Sequence, residues 1–60
     1  MSIYSTLNIQ EIEDMINELN NKRKHLSKAE RNRMKRLINE AALRGYKAVN
    51  TLNKITLIME

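Results

Sequence analysis

Residues 42–60, ALRGYKAVNTLNKITLIME, decide the fold. Two readings compete across them. In one, Met34, Ile38, Ala41, Gly45, Ala48, Leu52, Ile55 and Met59 form a seam whose steps alternate four and three residues without a break. That is the pattern of a helix packed in the left-handed coiled-coil manner. In the other, Gly45 is a helix C-cap after RLINEAALR, or the helix breaks at NTLN, residues 50–53. KITLIME, residues 54–60, can then finish a helix or form a short strand. The unbroken seam favours the continuous helix, with Leu37, Ala42 and Val49 widening its apolar stripe. Small residues at its centre, Ala41, Gly45 and Ala48, would let two helix backbones approach closely.

Upstream, SKAE at residues 27–30 is a capping box, with Ser27 and Glu30 positioned to satisfy each other's main-chain amides. NIQE at residues 8–11 repeats the device with Asn8 and Glu11. Between them Ile9, Ile12, Ile16, Leu19 and Leu26 keep helical spacing, with Met15 beside them and Arg23 in one heptad slot. Glu11, Glu13, Asp14 and Glu18 crowd the first half of that helix, where its dipole favours negative charge. The expected architecture is therefore all-α: a single small helical domain over residues 1–60, built as an antiparallel helical hairpin. Helix 1 is expected over about 8–24 and a long helix 2 over about 28–58, broken, if at all, near 45 or 50–53.

Length turns this into an oligomer prediction. Helix 1 would be on the order of 24–27 Å long and helix 2 about 45 Å, so an apolar stripe beyond Gly45 would remain uncovered. A second copy covers it most simply, as a C2 dimer forming a helical bundle. The expected interface is Ala41, Gly45, Ala48, Val49, Leu52, Ile55 and Met59.

Composition narrows the chemistry. Sixty residues lie near the lower limit for one self-sufficient core. The chain has no Cys and no Pro, one Gly, and only Tyr4 and Tyr46 as aromatics, so Leu, Ile, Met, Val and Ala must fill the core. No run of about 18 apolar residues suggests a membrane span, and the N-terminus lacks a signal-peptide layout. The expected location is cytoplasmic. His25 is the only His, no base–nucleophile–orienter set can be assembled around it, and the acids lack metal-site spacing. Neither enzyme activity, nor a cofactor or metal, nor a small-molecule substrate is expected.

What remains is charge. Eight of the eleven Lys and Arg fall within residues 22–36, with Glu30 the only acid among them. They are Lys22, Arg23, Lys24, Lys28, Arg31, Arg33, Lys35 and Arg36. Arg33, Arg36, Arg44, Lys47 and Lys54 are expected on the helix face opposite the seam, and Glu18–Lys22 and Glu40–Arg44 as i,i+4 pairs. Cations at a helix N-terminus oppose its dipole, so a feature adverse to folding is retained. Guanidinium groups suit phosphate, and Asn32 and Asn39 are candidate base readers. The pattern points to a small non-catalytic regulatory or adaptor protein that binds DNA or RNA through a basic helix tip. The alternative is a regulator or inhibitor that docks an amphipathic helix on a larger partner or meets an acidic protein surface.

The layout is similar to the helical hairpins of plasmid copy-number RNA-binding repressors, which pair into four-helix bundles. A ribbon-helix-helix repressor is a second resemblance: SIYSTLNI (residues 2–9) as the strand, residues 9–20 as the first helix and SKAERNRMKRLINEAALRGY (residues 27–46) as the second. Either resemblance implies a dimer that binds nucleic acid.

Overall fold

The computed structural model describes residues 3–22 and 25–60. Both helices begin at the sites their capping boxes mark. The Asn8 side chain accepts the Glu11 N–H at 2.8 Å, while Glu11 Oε1 accepts the Asn8 N–H at 3.2 Å. Ser27 Oγ accepts the Glu30 N–H at 3.2 Å, and Glu30 Oε1 accepts the Ser27 N–H at 3.0 Å. Helix α1 spans Ile9–Asn21 and helix α2 spans Lys28–Leu43. A 3-10 turn, Ile3–Thr6, precedes them.

The architecture is α+β, which corrects the all-α expectation. Helix α2 stops at Leu43, not near residue 58, and α1 stops at Asn21 rather than residue 24. The last turn of α2 tightens: the Arg44 N–H bonds Ala41 O at 3.1 Å and the Gly45 N–H bonds Ala42 O at 3.0 Å. Gly45 then takes φ +88°, a left-handed conformation that costs glycine little and turns the chain out of the helix. Two strands follow, β1 at Tyr46–Thr51 and β2 at Lys54–Met59, in antiparallel register from Thr51↔Lys54 to Tyr46↔Met59. Leu52 and Asn53, both at positive φ (47° and 66°), make the two-residue connection. Two such residues define the type I′ turn, whose twist matches that of the strands it joins.

Neither a long helical hairpin, nor a coiled coil, nor a dimeric helical bundle survives this topology. The seam misled for a geometric reason. Ala48, Ile55 and Met59 do share one side of the hairpin with buried Leu57, because strand periodicity and register bring them there. Ala48 and Met59 are nonetheless solvent-exposed, and Leu52 projects from the turn. The ribbon-helix-helix arrangement also fails: Ile3–Thr6 is a 3-10 turn, and the strands come after the helices. The resemblance to all-helical repressors falls with the fold class.

The hairpin supplies the cover that a second copy was expected to provide. Helix α1 packs on β2 and on α2, and α2 packs on β1. Ile12, Ile16 and Leu37 are fully enclosed, with Tyr4, Leu19, Ala41, Ile55 and Leu57 completing the core. Each enclosed aliphatic side chain stabilises the fold by about 1.5–3 kcal/mol.

Polar side chains of α1 then fasten the hairpin. Asn17 Nδ2 donates to Ile55 O at 2.9 Å and Asn17 Oδ1 accepts the Ile55 N–H at 2.8 Å, so one side chain imitates a neighbouring strand. Glu13 Oε2 accepts the Leu57 N–H at 2.9 Å, and Asn20 Nδ2 donates to Asn53 O at 3.0 Å. The outer edge of β2 is sealed by a helix.

Candidate nucleic-acid interface

The two helices use their polar residues in opposite ways. Helix α1 carries four acids and no cation; α2 carries Lys28, Arg31, Arg33, Lys35 and Arg36 against Glu30 and Glu40. Both α2 acids are engaged. Glu30 closes the capping box and lies 3.9 Å from the Lys22 Nζ. The Ser27 main-chain N–H, first among several influences, holds its carboxyl below the ordinary 4.5. Glu40 is buried and meets the Arg44 guanidinium at 3.1 Å.

All five α2 cations named above are exposed, and none forms an ion pair or hydrogen bond among the described residues. Helical spacing sets Lys28, Arg31 and Lys35 along one row, and places Arg36 beside both Asn32 and Arg33 as the second row. From residue 28 to 36 the helix rises about 12 Å, a few nucleotides' length of strand. The second row borders a recess of about 350 Å³ lined by Tyr4, Ala29, Asn32, Arg33 and Arg36. Guanidinium- and amide-bearing residues thus line this recess together with the buried Tyr4. A separate groove of about 520 Å³ between the helices includes Met15, Glu18, Lys22, Glu30 and Arg33, and its mixed charge makes it a weaker anion site.

Among the other expected contact residues, Lys22 is exposed at the end of α1, whereas Arg23 and Lys24 lie outside the described residues. Arg44 does not face solvent beside the others. It is half-buried, pairs with Glu40, and donates from one terminal nitrogen to Tyr4 O and Ser5 O, both at 3.1 Å. Arg44 therefore ties the N-terminal turn to the end of α2. The Glu40–Arg44 pair forms as expected, while Lys22 meets Glu30. Lys47 and Lys54 sit on the hairpin.

The seven expected interface residues are dispersed. Ala41 (1% exposed) and Ile55 (8%) belong to this chain's own core, and Val49 is half-buried. Gly45, Ala48, Leu52 and Met59 are exposed. The place of Tyr4 beside the cations was hidden, because nothing in an isolated N-terminal tyrosine reveals the recess it helps to line. No group of three His, Cys, Asp or Glu among the described residues is arranged to hold a metal, and no helix there is long and apolar enough to cross a membrane. Comparison with known protein families, curated proteins and solved structures finds no match.

Proposed function

We propose that this chain is a small cytoplasmic, non-catalytic nucleic-acid-binding protein of regulatory or adaptor type whose contact surface is the exposed face of α2. One observation carries the reading: five exposed cations stand on a single helix without an ion-pair partner among the described residues, while the acids of that helix are occupied in its cap and in the Arg44 pair. Arg31, Arg33 and Arg36 offer forked donors suited to phosphate oxygens. Lys28 and Lys35 add charge, and Asn32 stands where a base edge or sugar could meet it.

Binding to generic duplex DNA and to RNA, titrated with salt, tests the proposal. Engagement of about three phosphates predicts that log K falls against log salt with a slope of about −3 on duplex DNA. Replacing Arg31, Arg33 and Arg36 together by Gln should weaken binding broadly across sequences and flatten that slope. Binding that ignores salt, or survives the triple replacement, would reject the surface.

A further inference from the structure

The β-hairpin has two edges, and only one is sealed. Ile55 exchanges both main-chain groups with Asn17, and Leu57 donates its N–H to Glu13, so these residues point away from β1. In an antiparallel pair, residues directly opposite each other share this orientation. Their cross-strand partners Asn50 and Ala48, and by the same alternation Tyr46, therefore turn their N–H and C=O groups outward from β1. The Glu60 N–H to Gly45 O bond at 2.9 Å has the phase this alternation requires. Among the described residues no element lies along that edge and no partner meets those groups. Two of the usual protections are missing as well, since β1 contains no Pro and its register has no bulge; Lys47 is its single charged side chain.

We propose that β1 pairs antiparallel with β1 of a second copy, with Ala48 on the two-fold axis. This register lets Ala48 exchange both hydrogen bonds with its counterpart, while Tyr46 and Asn50 exchange theirs crosswise. Three features of the strand favour a second copy over an unrelated peptide. The outward groups are spaced symmetrically about Ala48, whose methyl is small enough to face itself. On the opposite side of the sheet Lys47 falls beside Val49 of the other copy, so its alkyl stem packs on an apolar side chain and no two like charges are opposed. Finally, α2 lies against β1, so pairing extends both layers across the axis, strand to strand and helix to helix.

The same geometry predicts an unusual salt response. Each copy carries a net charge of +4 and would bring its cationic α2 toward the axis. Dimerisation should therefore strengthen as salt rises, opposite in sign to phosphate binding. The two proposals can fail separately.

Sedimentation equilibrium at low and high salt, joined to amide hydrogen exchange, tests the pairing. The expected result is a species of twice the 7.1 kDa chain mass, favoured by salt, with the Tyr46, Ala48 and Asn50 amides slowing as concentration rises. Ala48→Pro removes only an outward N–H, which an edge position tolerates, and should leave a folded monomer. Val49→Lys sets like charges opposite each other twice and should weaken dimerisation about tenfold. Adding Lys47→Glu to Val49→Lys should restore it. A chain that stays monomeric at high salt would overturn the proposal. So would a dimer whose Tyr46, Ala48 and Asn50 amides exchange freely, or a double variant that remains as weak as Val49→Lys alone.

Discussion

Helix α1 and helix α2 have similar lengths and the same kind of N-terminal cap, yet their polar residues serve different ends. On α1, Glu13, Asn17 and Asn20 turn toward the hairpin and satisfy main-chain groups of β2 and its turn. On α2, the five basic residues are exposed and, among the described residues, make no hydrogen bond or ion pair, whereas Glu30 and Glu40 are tied down. The contrast separates what holds the molecule together from what it can offer to a partner. Polar groups that complete a buried hydrogen-bond inventory are difficult to change. Exposed cations can be exchanged with little consequence for folding.

The sharpest break in the contrast is Asn17→Ala. It leaves the Ile55 N–H and C=O without their side-chain partners beside the buried Ile55 side chain. Each group so abandoned costs roughly 1–3 kcal/mol, so the loss should be about 3 kcal/mol. Urea denaturation should show a large fall in midpoint for a domain this small. A change below about 0.5 kcal/mol would mean that water replaces the amide and that α1 does not secure the hairpin.

Arg44 is the exception on the α2 side, a cation that faces inward, and its removal comes next in size. Arg44→Ala strips the buried Glu40 of its counter-charge and removes the guanidinium's hydrogen bonds to the carbonyls of Tyr4 and Ser5, the first of which still accepts the Leu7 N–H. The Arg44 side chain keeps about a quarter of its exposure, so water limits the damage to about 2 kcal/mol. Replacing both partners, Glu40→Leu with Arg44→Met, should recover most of that loss, because no unpaired charge then remains. Chemical denaturation of the single and double variants checks both expectations.

The helical half was legible in the sequence because its signals are local. Asn8–Glu11 and Ser27–Glu30 act across three residues, and Ile12, Ile16 and Leu19 repeat at helical spacing on one face. The hairpin was obscured because two of its signals were disguised. Its turn holds Leu52 where Asn would ordinarily announce a type I′ connection, and Ile58 beside Met59 blurs the alternation that Ile55, Thr56 and Leu57 begin. The apparent seam through Ala48, Leu52, Ile55 and Met59 then supplied a helical pattern without a helix. At the candidate site, the clustering of cations was visible as composition. That Arg44 would leave the cluster was not, since its carbonyl partners, in Tyr4 and Ser5, lie some forty positions away in the chain.

Leu52 offers a gain rather than a loss. It is 99% exposed, so it buries nothing that a replacement would forfeit, and its φ of 47° is costly for a branched side chain. Leu52→Asn should therefore stabilise the hairpin by about 1 kcal/mol, seen as a rise in thermal midpoint of a few degrees. No gain would indicate that the leucine side chain is held by a contact that the single chain does not contain, with a second copy as the first candidate to examine.

The smallest effect on folding should come from the residues proposed to matter most for binding. Arg31 lies at the end of the first turn of α2, where the helix dipole disfavours positive charge, and Arg31, Arg33 and Arg36 repel one another and the lysines around them. Replacing the three by Gln keeps side-chain length and helix propensity nearly unchanged. The stability of the triple variant should thus stay within about 0.5 kcal/mol of the parent, or rise slightly at low salt, where repulsion is least screened. Urea curves at low and high salt measure this directly. A loss of about 1 kcal/mol or more would mean that these side chains stabilise the fold. The difference between α1 as the fastening helix and α2 as the presenting helix would then disappear, and the triple variant could no longer isolate binding from folding.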